Sequence, residues 1–597
     1  MGLSRRIPAW TGLALWLATS TATFAGSVTV PAEYGKLIQQ RGVVGALGDN
    51  AFGESIDLSS GGLEIVQTDV DLPGSNSLPV RLGRRFRASQ GEDRLGHFGN
   101  WDLDIPHAHG EFYSVSGWFV SGSTAAAKSL RCSHFGAPTS VTVMGGTWAP
   151  DEYWHGNSFY LPGQGEQELL RAGTTAHVPG SGAYPAVTRA GAAVRCLTSL
   201  DPASSAGSTG EGFEIVTPEG TVYKLDHMVS RKIDGLYKSL PNPMLLTVGA
   251  VTPQAAVGYS LSRAEVFLYP TQIKDRFGNT VTYTWDSSNP WRLLQIASSD
   301  GRQLTFTYAS TPADSYQVAS VSDGTHVWTY TATGMTQPDG RSWTWNLDGL
   351  RVARPLPDGA YCDYITSPNL GLTATGTITA PAGASVTYTL TATLFGRSWM
   401  ARECWSDVSL GGELFPRDPY LFENMAVTAK KITGPGLPAA GLTWTYAYGA
   451  PNHCWGGAPN PTPPGAVICA AGSPITRMTV VTGPEGDATR YTFGNKAWTN
   501  EGLLLKVEAG WNGSTALSTV AYEYASPDDA PYAVYNGLSV RKRGDYDITS
   551  RYRPQRKTTT TQQGRAFVWE VASDCGEGPY CFDSYARPKR VVKANTP

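Results

Sequence analysis

Asp275-Arg-Phe-Gly278-Asn-Thr-Val-Thr-Tyr283-Thr-Trp285-Asp286, followed by Asp300-Gly301-Arg-Gln-Leu-Thr-Phe306-Thr-Tyr308, decides the fold class of this chain. Each copy opens on a turn containing Asp and Gly and closes on two aromatic residues separated by Thr. Gly supplies the positive φ of a tight hairpin turn. Residues two apart on a strand share a face, so both rings point one way and the Thr points the other. The order recurs at Asp323-Gly324 to Trp328-Thr-Tyr330, Asp339-Gly340-Arg to Trp343-Thr-Trp345-Asn346, and Gly483-Pro-Glu-Gly486 to Tyr491-Thr-Phe493. Pro218-Glu-Gly220 to Tyr223-Lys-Leu225-Asp226 is a variant with Leu in second place. A lone hairpin with an uncovered aromatic face is marginal. Stacked edge to edge, hairpins pair their backbones and bury those faces. The expected fold is all-β, a curled or spiralling sheet of hairpin repeats forming an open or partial shell with few helices. An ordinary β-sandwich is the competing arrangement, and the recurring turn-to-aromatic order argues against it.

Composition agrees. In 597 residues there are 67 Gly, 40 Pro, 28 Tyr, 18 Trp and 18 Phe, and only 16% are charged, a profile of short strands and tight turns rather than helical bundles. Helical spacing is confined to short segments such as Glu33–Gln40 and Glu166–Ala172. The length exceeds one compact core of ordinary size. Net charge is −3 with no long block of one sign, so nothing points to nucleic acid. The basic groups at Arg541–Arg543 and Arg551–Lys557 read as solvated loop or edge strand.

The N-terminus reads as an export signal: Arg5 and Arg6, an apolar Trp10–Ala22, and Thr23-Phe24-Ala25 as a cleavage site. Pro8 and Ala9 stand where a twin-arginine signal carries bulky apolar residues, so the general secretory (Sec) route is expected. The apolar run is too short for a membrane span, and no later segment reads as transmembrane. The expected destination is bacterial periplasm, cell surface or extracellular space. Eight cysteines in an exported chain favour disulfides. Neighbour pairing is the simplest connectivity: Cys132 with Cys196, Cys362 with Cys404, Cys454 with Cys469, and Cys575 with Cys581. No C-x-x-C pair supports a metal reading.

Near the C-terminus, Tyr580-Cys-Phe582-Asp583-Ser-Tyr-Ala586-Arg587 matches the Tyr-x-Tyr-Asp-x-x-Gly-Arg consensus, with Phe582 for the second Tyr and Ala586 for Gly. Trp343–Leu350 is a looser copy. Gly61-Gly62 through Leu72-Pro73-Gly74 to Arg84-Arg85-Phe86 resembles the opening segment of rearrangement-hotspot proteins, and Gly99–Pro106 the strand after it. On these motifs the chain resembles the rearrangement-hotspot (RHS)/YD-repeat family, as an N-terminal or truncated member. The resemblance implies a non-catalytic shell of spiralling hairpins that contains or delivers an effector or toxin. A self-cleavage segment and variable effector, usual in full-length members, are not recognisable here, so cargo or a downstream shell segment would be the partner. The organisation expected is a signal peptide at 1–25, an opening β region at 26–115, an irregular Gly/Ser-rich β insertion at 116–210, and the repeat array at 211–597 with Pro-rich, disulfide-bearing loops at 355–430 and 450–475.

Candidate chemistry is sparse. Asp102-Leu-Asp104-Ile-Pro-His107-Ala-His109-Gly-Glu111 is the densest polar stretch. His107 and His109 share a strand face, and such a pair can hold a transition metal. The stretch coincides with a family strand and Pro106 limits its pairing, so structural histidines are expected, with no metal, cofactor or catalytic residue. No Gly-x-Ser-x-Gly, His-Glu-x-x-His or P-loop motif occurs. Glu211/Glu214 and Glu265/Asp275 are the carboxylates considered for a hydrolase pair, and nothing in sequence singles them out. Asp528-Asp529 reads as a loop. Trp148, Trp154, Trp455 and Trp511 could stack on surface glycans, making a carbohydrate-binding adhesion protein the second reading; core filling is the expected use of such rings. A secreted hydrolase is the third.

Overall fold

The computed structural model describes residues 50–88, 96–120, 130–143, 146–154, 156–174, 176–239, 258–310, 316–350, 370–401, 404–406, 414–416, 420–457, 467–529, 531–541 and 550–596. The expected signal peptide, the spacing at Glu33–Gln40, and the pairing of Cys362 with Cys404 lie outside these residues. The chain divides after Glu54. Of the first unit, Asn50–Glu54 is described, a turn in which Phe52 N donates to Glu54 Oε2 at 2.9 Å. All that follows concerns the second unit.

The protein is all-β. Among the described residues, 28 strands join one antiparallel sheet that does not close into a barrel. The helical elements with full bounds among the described residues are a turn at Pro150–Tyr153 and a 3-10 turn at Asp348–Leu350. From Gly212–Val216 onward the wall strands pair in sequence order as a meander to Val591–Thr596, passing over the separate hairpin of Cys404–Ser406 and Leu414–Pro416 between Ser385–Gly396 and Leu421–Thr433, and over Gly537–Leu538 between Ser518–Tyr524 and Gln555–Gln562. The repeat geometry explains this order. Ser298 N bonds Arg302 O at 2.8 Å, Gln337 N bonds Arg341 O at 2.8 Å, and Gly483 N bonds Asp487 O at 2.7 Å. Each bond closes a short hairpin loop built on a type I turn and a left-handed residue. That residue is the repeat glycine, with φ of 92° at Gly278 and Gly301 and 82° at Gly340.

Side chains follow the strand period. Tyr283, Trp285, Phe306, Trp328, Tyr330 and Trp345 are buried, and the intervening Thr284, Thr307, Thr329 and Thr344 are exposed. The last ring of a repeat strand also reaches back to the preceding strand or turn. Trp285 Nε1 donates to Pro270 O (2.9 Å), Tyr308 OH to Leu293 O (2.7 Å), Trp345 Nε1 to Ala332 O (2.9 Å), Tyr448 OH to Val427 O (2.8 Å) and Tyr524 OH to Leu504 O (2.9 Å). A buried ring with a donor at its tip satisfies a carbonyl where Phe would not.

The segment before the array covers the aromatic face. Leu63–Asp71, Arg81–Arg87 and Asp102–Leu103 form a small antiparallel sheet. Its Arg84 and Asp69, both 1% exposed, form a bidentate pair with bonds of 2.5 and 2.8 Å. Tyr330 OH donates to Asp69 (3.1 Å), and Arg84 lies 4.5 Å from the Trp345 ring centre. Arg302 donates to the carbonyls of Leu72 (2.8 Å) and Leu78 (3.1 Å). Further along, Val427 N donates to Gly61 O at 2.9 Å; Gly61 has φ 74°, and a Cβ there would lie 2.2 Å from the Ala426 methyl. Only glycine permits that approach.

At its start the sheet forks. One edge of Gly258–Lys274 pairs with Val222–Ser239; the other is shared between His107–Tyr113 at Arg263–Leu268 and Thr280–Trp285 at Gln272–Lys274. Late strands return to early ones: Gly537–Leu538 pairs with Leu170–Ala172, and Asn536 Nδ2 donates to Thr188 O at 3.0 Å. Disulfides join Cys132 to Cys196, Cys454 to Cys469 and Cys575 to Cys581, as neighbour pairing predicts.

Three sequence expectations fail. Arg556 and Lys557, expected in a solvated loop or edge strand, lie on Gln555–Gln562, which is paired on both edges, and they are half-buried beside Glu523 and Glu570. Glu166–Ala172 is not helical: Gly165–Glu168 and Leu170–Ala172 are strands, because pairing with Asn157–Leu161 and Ala186–Val187 outweighs a weak local preference. Residues 355–430 are not all loop, since Thr373–Thr379, Ser385–Gly396 and Leu421–Thr433 are wall strands. Their alternation, as in Ser385-Val-Thr-Tyr-Thr-Leu-Thr-Ala-Thr, is the period-2 signal of a half-buried strand.

Candidate functional site

The fork places a charged cluster around a cavity of about 260 Å³. His107–Tyr113 is central: it pairs with Asn157–Leu161 on one edge and Gly258–Lys274 on the other, despite Pro106. His107, His109 and Glu111 alternate along one face, as spacing predicts. The hairpin Asn157–Glu168 sets Glu166 opposite Tyr160, which is itself opposite His107. Across the other edge, Glu265 stands opposite Glu111 and Arg231 opposite Glu265. Arg85 and Arg87 arrive from the covering sheet.

His109 lies between two carboxylates, with Nε2 3.1 Å from Glu166 Oε2 and Nδ1 3.2 Å from Glu265 Oε1. Its ring stacks on Phe267 at 5.6 Å. His107 is buried, and its Nδ1 donates to Ile105 O at 2.8 Å, which leaves Nε2 with its lone pair in the neutral ring. The other Glu166 oxygen accepts from Arg85 (3.1 Å) and Arg87 (2.8 Å), and Arg85 also binds Glu64 at 2.7 Å. Arg231 bridges Asp102 (2.8 Å) and Glu265 (3.0 Å). Charges this deep persist only when paired.

The two histidines are driven apart. Burial disfavours the imidazolium of His109, but hydrogen bonds and charge from Glu166 and Glu265 outweigh it and raise its pKa to about 9. Burial, reinforced by the charged His109, lowers His107 to about 3. Burial opposes ionisation of Glu166, yet the bond from His109 and the charges of His109 and Arg87 hold it well below the usual carboxylate range.

The cluster therefore gathers Asp102, His107, His109, Glu111 and Glu265 from the residues singled out in sequence. It does not include their proposed companions. Asp275 caps its own turn, accepting from Phe277 N and Asn279 N at 2.9 Å. Glu211 accepts from Cys132 N and Ser133 N (2.9 Å), and Glu214 pairs with Arg195. Asp529 accepts from Ser526 N in the expected loop. Trp148, Trp154 and Trp455 are buried in cores, and Trp511 lies under Arg490 at 3.4 Å. Of the basic groups, Arg541 pairs with Glu168, Arg556 with Glu523, and Arg553 donates to Trp498 O at 2.5 Å. In the C-terminal copy, Tyr580 packs beside buried Phe582, and Asp583 accepts from the backbone and side chain of Arg587 at 2.8 Å. Asp286 accepts from Ser288 N at 2.8 Å in its turn.

Sequence reasoning missed Arg85, Arg87, Glu166 and Arg231. The legible signal was Arg81-Leu-Gly-Arg-Arg-Phe-Arg87, a strand whose cations demand acidic neighbours on folding; which acids was not legible.

No protein-family model matches the sequence, and no curated protein is significantly similar to it. Among solved structures, a porin-like protein from Bacteroides uniformis is similar at 13% identity over 48% of this chain and 87% of that one, with a TM-score of 0.15. No helix among the described residues is long and apolar enough to cross a membrane.

Proposed function

We propose that this chain is an exported, non-catalytic structural wall of the YD-repeat type, a segment of a shell that contains or delivers an effector polypeptide. The observation that carries the reading is the meander itself: hairpins added one after another along one sheet, each with a positive-φ glycine in its turn and inward-facing rings at alternate positions, and with a ring-to-carbonyl bond at Trp285, Tyr308 and Trp345. Such an array grows by repetition and each unit is stabilised by its neighbours. The aromatic face is covered by the protein's own early strands, so the wall needs no cargo to stand. The three disulfides among the described residues support an oxidising compartment, and the Arg5–Ala25 pattern supports the Sec route to it. A reporter polypeptide fused after Pro597 tests containment. Slower proteolysis than on an unrelated β carrier is expected, and equal rates overturn the reading. Mass spectrometry of the exported protein should place the mature start near Gly26.

A second reading, glycan binding, is favoured by one feature. Tyr585 is 51% exposed and stacks on His177 at 3.9 Å beside a groove of about 670 Å³ that Tyr552 and Arg587 also line. An exposed ring on a groove is a platform for a sugar face. Glycan-array binding lost in Tyr585→Ala would establish it; an array without hits removes it.

A further inference from the structure

We propose that His107, His109 and Glu166 form a binding site for one divalent transition-metal ion, with a position open toward the cavity. One ligand atom from each residue lies within 4.8 Å of the others. His109 Nε2 and Glu166 Oε2 are 3.1 Å apart. Two ligands on a tetrahedral ion with bonds of about 2.0 Å sit about 3.3 Å apart, so this pair already has nearly the right bite.

The stronger argument is the outer arrangement. Metal-bound imidazoles characteristically give their second nitrogen to a carboxylate or a backbone carbonyl, which sets the tautomer and aims the ring. Both histidines do this. His109 Nδ1 meets Glu265, itself held by Arg231, and His107 Nδ1 meets Ile105 O. His107 thereby keeps Nε2 as the ligand nitrogen, and in His109 the ion takes the place of the Nε2 proton that now bridges to Glu166. Arg85 and Arg87 occupy one oxygen of Glu166 and orient the other toward His109. Glu64 offsets the charge of Arg85. The strand register holds the set rigidly, since all three ligands come from paired strands of one sheet.

Two imidazoles and one carboxylate select an ion of borderline softness such as Zn²⁺, Co²⁺ or Cu²⁺ over Ca²⁺ or Mg²⁺, which take oxygen shells. With three protein ligands, the fourth position faces the cavity and takes water or a small anion. Binding is the whole of the proposal, and it stands independently of the wall reading.

The test uses the full-length exported protein, stripped with EDTA under non-reducing conditions and titrated with Zn²⁺ by calorimetry. One ion per chain is expected. Glu265→Gln, which removes the carboxylate behind His109, should weaken binding about 10–100-fold, and His107→Gln with Glu166→Gln by more. Near-ultraviolet circular dichroism checks that each variant is folded. The unmodified protein supplies an arm that needs no variant: Cu²⁺ bound to it should show electron-spin coupling to two imidazole nitrogens. Absence of that coupling overturns the proposal, as does Zn²⁺ binding equal in wild type and the folded double variant.

Discussion

Arg84→Met tests whether the early strands are integral to the wall. The guanidinium and the Asp69 carboxylate are both 1% exposed, bound through two hydrogen bonds, and enclosed by Trp101 at 4.9 Å and Trp345 at 4.5 Å. Methionine fills much of the volume and leaves Asp69 charged, buried and held only by Tyr330 OH at 3.1 Å. Removing one partner of such a pair costs about 3–5 kcal/mol, because the survivor is uncompensated. Replacing both charges by apolar groups costs far less. Arg84→Met should therefore unfold at clearly lower urea concentration, and Asp69→Leu/Arg84→Met should recover most of the loss. Adding Tyr330→Phe removes the hydroxyl stranded by the Asp69 change and should recover about another 1 kcal/mol. Tryptophan fluorescence follows unfolding of the whole wall, with Trp101 and Trp345 beside Arg84 among its 18 indoles. Hydrogen exchange over Leu63–Asp71 and Arg81–Arg87 shows whether the covering sheet opens. Wild-type behaviour of Arg84→Met, or a double variant no better than the single, would refute the reasoning.

Metal-free protein should be most stable near pH 6.5. The folded pKa of His109, about 9, exceeds its ordinary 6.5, so its stabilisation is complete below about 6.5 and lost as pH rises through about 9. His107 is depressed to about 3, so its share is present above about 6.5 and lost as pH falls toward 3. Each limb is worth a few kcal/mol, and His109→Gln should abolish the alkaline one; melting midpoints across pH, unchanged in that variant, would contradict the assignment. Ala586 occupies the glycine position of the C-terminal copy at φ 60°, in the same kind of loop, closed by Asp583 N to Arg587 O at 2.9 Å. Ala586→Gly should stabilise by about 0.5–1 kcal/mol in denaturant unfolding, whereas Gly301→Ala should cost about as much or more. Cys132→Ser/Cys196→Ser opens a loop with a separation of 64 residues and should cost about 4 kcal/mol, against about 2 for Cys575→Ser/Cys581→Ser with a separation of 6. Equal losses in thermal unfolding would speak against a chain-entropy origin.

The fold was legible where local chemistry and period agreed. Gly301 at φ 92°, with Phe306 buried and Thr307 exposed, is what a turn followed by alternating residues dictates. Disulfide partners were legible because the cysteines that pair are neighbours in cysteine order, with separations of 64, 15 and 6 residues. Misreadings arose where one cue outweighed another: Pro-rich flanks hid the alternation of Ser385–Gly396, and a weak helical spacing hid the strands within Glu166–Ala172.

The sequence by itself determined the all-β class, the hairpin unit, which aromatics face inward, and that His107 and His109 share a face. These depend on backbone preferences and residue spacing within one or two strands. Only the tertiary structure decided that the early strands cover the aromatic face, and that Glu166, Glu265, Arg85 and Arg231 converge on the histidines. The covering contacts join residues such as Asp69 and Tyr330, 261 positions apart; those around the histidines span up to 156 positions, from His109 to Glu265, and arise where the sheet forks and one strand edge serves two neighbours. Periodicity carries no record of which distant strand fills an edge, and the charge partners follow from that choice.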